Sequence, residues 1–243
     1  MHILKCRNSQ QDKLPMLYVV SNYCIADSLY MPLMMAPINK LDDVNIIDLK
    51  LEKINTFVDK YINLRTLQSK SVTQSSIRDA IYELIKELRK SSSDDMDSIL
   101  CNRLDLSLDD NIFVSKKFSS SYMHYFHARV RYYLKSNGSE FCNLLRSRKQ
   151  TSFVLYQIIK ETDDLPKELS NNSSLYMYSL VNYCLIRRSE ITNFDNMDIK
   201  QRLLRLKQEE YLLDVEDETF YGELDFWQKR ERNLYQIVEK LWI

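Results

Sequence analysis

Two histidines three residues apart, His124 and His127, have the spacing that lets neighbouring turns of one helix share a metal ion. No third ligand stands at a matching step. The same turns carry Tyr122, Tyr125 and Arg129, so the expectation is imidazoles packed or hydrogen-bonded between helices, with no metal. The acidic clusters Asp94-Asp95-Asp97, Asp109-Asp110 and Asp214-Glu216-Asp217-Glu218 read as helix caps and solvated loops. Five cysteines (Cys6, Cys24, Cys101, Cys142 and Cys184) contain no CxxC pair. That spacing argues against a disulfide framework or a zinc site and suits a reducing compartment. A Ser or Cys nucleophile elbow needs glycines, and only Gly138 and Gly222 occur.

Basic residues form the other chemical pattern. Arg146, Arg148 and Lys149 cluster together, followed by Arg187 and Arg188, then Lys200 and Arg202. Tyr176, Tyr178, Tyr183 and Phe194 lie between them, as on a surface that tracks phosphates, although solvated helix faces carry the same charges. Overall, 34 basic residues balance 34 acidic ones, so net charge by itself demands neither nucleic acid nor membrane.

The elements that must position these residues are mostly helices. Two glycines and four prolines in 243 residues exclude a P-loop and a Gly-rich dinucleotide fingerprint, and imply helices joined by Ser/Asn/Asp loops. Residues 46–64 place Ile47, Leu51, Ile54, Val58 and Tyr61 on one stripe. Residues 72–90 place Ile77, Ala80, Ile81, Leu84, Ile85 and Leu88 on another, with Ser71, Thr73 and Ser75 as candidate N-caps. A short helix through Leu100 and Leu104 follows, then one over 119–136 stopped by Gly138. Further helices are expected over 174–188, 197–213 and 219–241; Ser152–Ile159 is the best strand signal and reads equally as a helix. The apolar stretch Leu29–Ile38 is broken by Pro32 and Pro37 and is too short to span a bilayer, so the expected setting is cytoplasmic, without membrane. The fold expected is mainly α: a multi-helix bundle of about six helices over 1–150, then a smaller helical region over 151–243 with at most a short hairpin.

Leu41–Lys90 resembles the helical back part of the N-terminal domain of GmrSD-type type IV restriction proteins. There the phrase FxxRYxxLRT corresponds to Phe57–Thr66, and a following LxxxLR corresponds to Leu84–Arg89. Phe226–Trp242, FWQKRERNLYQIVEKLW, resembles the closing W…R…L…W helix of the same family's C-terminal HNH nuclease domain. The resemblance implies that 151–243 is a degenerate HNH-like region. Gln157 stands where the family has its catalytic His, Asn182 where it has the orienting Asn, and Asn193 and Lys200 match a downstream N…K pattern. A Gln side chain does not take a proton from water at neutral pH, so this resemblance implies a lost base.

The function so implied is a non-catalytic fragment or accessory subunit related to a phage-defence restriction protein, acting through protein or DNA binding and using no cofactor. The family's ParB-like nucleotidase front has no counterpart here. The partners implied are therefore DNA and either a polypeptide supplying that half or a second copy of this chain. The alternative is a metal-dependent DNA nuclease whose site is rebuilt from carboxylates such as Glu161, Asp163 and Asp164.

Overall fold

The computed structural model describes residues 26–92, 94–109, 112–113, 117–135, 144, 152–163, 176–215 and 224–243. Eight α-helices and one two-stranded antiparallel sheet occur among them, so the chain is mainly helical. No described helix is long and apolar enough to cross a membrane. The chain divides into two compact units, Met1–Asp109 with Trp242–Ile243, and Asp110–Leu241.

In the first unit, α1 (Asp27–Met35) runs through Pro32. Pro32 removes one backbone donor, yet the turn persists because Leu29, Tyr30, Leu33 and Met34 bury completely at helical spacing. Helix α2 (Val44–Leu67) starts at Asp43, whose Oδ1 accepts the Ile46 N–H at 2.9 Å. Helix α3 (Gln74–Leu88) buries Ile77, Ile81, Leu84, Ile85 and Leu88 as its sequence period requires, while Ala80 stays exposed. Helix α4 (Met96–Cys101) inserts Met96 and Leu100. Helices α1 and α4 each pack on α2 and α3. Burying each such Leu or Ile contributes about 1.5–3 kcal/mol relative to exposure.

Helix α2 also buries Asn55, Asp59 and Asn63, one per turn. Among the described residues Asn63 Oδ1 has no hydrogen-bond partner, while the other polar groups of these side chains pair as burial demands. The Tyr30 hydroxyl donates to Asn55 Oδ1 at 2.8 Å, Asn63 Nδ2 donates to Asp59 Oδ1 at 3.0 Å, and the Trp242 indole N–H donates to Asp59 Oδ2 at 2.9 Å. The helix ends on Ser69 at φ 63°, and the Lys70 N–H returns to the Arg65 carbonyl at 2.8 Å. This is the left-handed stop usually filled by glycine.

In the second unit, α5 (Ser120–Lys135) packs on β1 (Phe153–Gln157) and β2 (Tyr183–Arg187). The strands are antiparallel, with Leu155 opposite Leu185 and Gln157 opposite Tyr183. Short 3₁₀ turns, Leu180–Asn182 and Arg188–Glu190, flank β2. Helices α6 (Ile191–Asp195) and α7 (Ile199–Gln208) follow, the second capped by Asp198 onto the Gln201 N–H at 2.9 Å. Helix α8 (Leu224–Trp242) buries Phe226, Trp227, Arg230, Leu234 and Val238.

One expectation changes. The segment expected as a helix over 174–188 contains a 3₁₀ turn and β2; Cys184, Leu185 and Ile186 are all buried. A short continuous apolar run of that kind fits a strand covered on both faces, and its period does not distinguish it from a helix. Within the apolar stretch Leu29–Ile38, the helix runs through Pro32 and ends at Met35, before Pro37. The two compact units divide after Asp109, and α5 packs on the strands and belongs with them. Gly138, the expected stop of α5, lies outside the described residues.

Candidate functional site

Of the positions that the family resemblance would place in a nuclease site, Gln157 and Asn182 are structural supports in the second unit. Gln157 closes β1, and its Nε2 donates to the Met177 carbonyl at 3.1 Å. Asn182 is buried; its Oδ1 accepts the Ile159 N–H at 2.9 Å and its Nδ2 donates to the Ile159 carbonyl at 2.9 Å. The same Nδ2 also reaches the Met177 carbonyl at 3.0 Å. This carboxamide therefore extends the strand ladder by one rung. Asn193 on α6 and Lys200 on α7 are exposed and hydrogen-bond neither Gln157 nor Asn182.

The carboxylates of the alternative site are also engaged. Asp163 takes a two-point contact from Arg202, at 2.7 and 3.0 Å, and accepts the Lys160 N–H at 2.8 Å. Glu161 accepts the Tyr178 hydroxyl at 2.6 Å, which pushes that phenol's pKa upward. Asp164 lies outside the described residues. Near them, Asp195 accepts the Tyr156 hydroxyl at 3.0 Å and the Lys160 ammonium at 2.5 Å. Burial raises the Asp195 carboxyl, but Lys160 and Tyr156 outweigh it and hold the group below its ordinary value. Burial drives the Tyr156 phenol well above its own. Among the described residues, no group of three or more His, Cys, Asp or Glu could hold a metal ion.

The histidine pair is divided between separate backbone partners. His124 Nε2 meets the Leu144 carbonyl at 2.6 Å and His127 Nε2 meets the Leu180 carbonyl at 3.1 Å. Burial, with Arg230 adding to it, holds the His127 pKa well below 6.5. Both rings tie α5 to other segments of its unit.

Of the basic residues, Arg187, Arg188 and Lys200 are exposed, while Arg146, Arg148 and Lys149 lie outside the described residues. Arg202 does not share the exposed surface. It is 2% exposed, with donors on Asp163 and on the carbonyls of Phe194, Ile158 and Met197. An arginine engaged on every side carries no phosphate. Arg230, not singled out as functional from sequence, has the same kind of position. Its Nε donates to Asp214 Oδ2 at 2.6 Å and its Nη2 to the Tyr183 carbonyl at 2.9 Å, which joins α8 to β2. The W…R…L…W phrase is thus a packing pattern with a buried guanidinium at its centre.

Two concave surfaces lie in the first unit, along α2. A cavity of about 250 Å³ has Phe57, Tyr61, Leu64 and Leu84 among its apolar walls, and Arg65, Lys70, Asn102, Arg103 and Asp105 among its polar ones. A second, of about 380 Å³, lies beside α4 and is lined by Leu49, Lys53, Lys60, Leu100 and Cys101. Phe57 and Leu104 line both. The segment 102–107 is held there by Gln68, whose Nε2 donates to the carbonyls of Asp105 and Ser107 at 2.8 and 2.6 Å. Lys70 pairs with Asp105 at 2.5 Å, and Arg103 pairs with Glu87. One signal for this site was present in the sequence: Phe57, Tyr61, Leu64 and Arg65 stand at i, i+4, i+7 and i+8, so a cation sits at the end of an apolar stripe.

No protein family, no curated protein and no solved structure matches this chain.

Proposed function

We propose that this chain is a non-catalytic accessory protein that works by binding another polypeptide. One observation carries the reading: Leu41, just before α2, and Val44, Ile46 and Leu49 in its first two turns are 95%, 60%, 40% and 53% exposed, and Leu49 lines the 380 Å³ cavity. Large apolar side chains left exposed near one helix end favour a protein partner over nucleic acid. Nearby charge is balanced, with Lys53 and Lys60 facing Glu52 and Asp97 around the cavity, which adds no phosphate-tracking field. The support roles of Gln157, Asn182 and Asp163 agree with a chain that uses these residues for folding rather than hydrolysis. The setting in a restriction-type defence system rests only on the resemblance of Leu41–Lys90 and Phe226–Trp242.

The test is light scattering on the full chain, alone and with any stoichiometric partner that co-purifies, beside the variant Leu41→Asp/Leu49→Asp. The expected wild-type mass is at least that of two chains, falling to one chain in the variant with circular dichroism unchanged. A wild type that stays monomeric and partner-free at every concentration overturns the proposal.

A further inference from the structure

We propose that the 250 Å³ cavity between α2 and α3 is a binding site for a small aromatic anion, a single ring bearing a phosphate or a carboxylate. The claim is independent of polypeptide binding and rests on three features of the first unit.

The first is size and wall chemistry. A cavity of about 150 Å³ accommodates a benzene ring. At about 250 Å³, this one accommodates a ring with a substituent group. Phe57 and Tyr61 stack at 5.4 Å with planes 25° apart, and together with Leu64 and Leu84 they present apolar and aromatic surface to such a ring.

The second is charge. Arg65, Lys70 and Arg103 line the cavity, whereas Asp105 is its sole carboxylate among the lining residues. Even with Glu87, the partner of Arg103, counted against them, one positive charge remains. That excess favours an anion, and it acts against a low-dielectric wall.

The third is unused donors. Arg65 directs Nε and Nη2 to a single acceptor, the Ser71 carbonyl, at 3.1 and 2.8 Å, and among the described residues Nη1 has no partner. Its guanidinium also lies 5.5 Å from the Tyr61 ring centroid, which fixes its plane beside the aromatic wall. Among the described residues Arg103 gives only Nη2, to Glu87, and the Asn102 carboxamide has no hydrogen-bond partner. Donors from two neighbouring residues of one loop and from the end of α2 therefore surround one apolar cavity. This is the arrangement that orients an anionic head group while its ring is buried.

The experiment uses the full chain, with phenyl phosphate and benzoate as probes and inorganic phosphate and benzyl alcohol as controls, followed by ligand-observed NMR and calorimetry. Ala80 is exposed and lines the cavity, so Ala80→Trp fills the space with little effect on the core. The result expected is saturable binding of at least one ring anion, lost in Ala80→Trp and weakened about tenfold in Arg103→Gln and in Asn102→Asp. Should Ala80→Trp fail to fold, the near-isosteric Asn102→Asp carries the test alone. Absence of saturable binding by both ring anions overturns the proposal. So does inorganic phosphate binding as tightly as phenyl phosphate, which would mean surface charge only. Benzyl alcohol binding equally well would overturn the anionic assignment.

Discussion

The side-chain amide of Asn182 pairs with both backbone groups of Ile159, accepting its N–H and donating to its carbonyl, each at 2.9 Å. A side chain so used supplies a missing rung of sheet, and its orientation follows from that rung rather than from any ligand. Asn182→Ala would leave those two backbone groups without their partner in the interior, and the expected loss is about 3 kcal/mol. Asn182→Asp should be at least as damaging, because an oxygen would then face the carbonyls of Ile159 and Met177. Chemical denaturation of both variants checks this; full stability of Asn182→Asp would remove the account.

A histidine at position 157 is not expected to create a nuclease. In Gln157→His the new ring would stand at the end of β1, while the Asn182 that should orient it remains turned toward Ile159. Supercoiled plasmid incubated with Mg²⁺ or Mn²⁺ should stay uncut by the wild type and by this variant. Metal-dependent nicking that disappears in Glu161→Gln or Asp163→Asn would restore the nuclease alternative.

Basic residues of similar appearance in the sequence should separate sharply in stability. Arg202 lies buried between Asp163 and three carbonyls, so Arg202→Gln leaves an interior carboxylate without its cation, and about 3–5 kcal/mol should be lost. Exposed Lys200, substituted with Gln, should move stability by less than about 0.5 kcal/mol. Urea unfolding midpoints of the two variants provide the comparison, and equal midpoints would contradict it.

His127 should make the fold acid-sensitive. Burial and Arg230 lower its folded pKa well below 6.5, so below pH 6.5 the unfolded chain takes up a proton that the folded chain refuses. Its contribution is complete above pH 6.5 and declines by about 1.4 kcal/mol per unit as pH falls toward the depressed folded value. The readout is the difference in unfolding free energy between wild type and His127→Gln across pH 7.5 to 5. That difference should shift against the wild type on acidification; a difference constant with pH would exclude the mechanism.

Two helix ends hold non-glycine residues in left-handed backbone, Ser69 at φ 63° and Glu210 at φ 58°. Ser69→Gly should raise stability by about 1 kcal/mol, seen as a higher melting temperature. Glu210→Gly gains the same backbone relief but gives up the pair with Lys135, so its gain should be the smaller of the two. A fall in melting temperature for Ser69→Gly would show that the serine hydroxyl matters more than its backbone.

Helix α3 was legible because its instructions are local. Ile77, Ile81, Leu84, Ile85 and Leu88 repeat at the helical period, and that period alone determines which face is buried. Scarcity of glycine likewise predicted a helical protein, though the helix stops at Ser69 and Glu210 show the chain meeting glycine's usual conformation without it. The β2 segment was not legible in the same way. Val181 to Ile186 is apolar at nearly every position, so no period distinguishes strand from helix, and pairing with Phe153–Gln157 decides the matter from far away in the chain.

The same division holds for function. Sequence by itself determined that position 157 offers no general base, since a glutamine has no basic site whatever surrounds it. Only the tertiary structure decided that Arg202 is interior while Arg188 is exposed, and that Arg65 shares a cavity with Asn102 and Arg103. The physical reason is range. A side chain's chemistry and its helical face follow from near neighbours, whereas burial and convergence depend on contacts between residues remote in sequence.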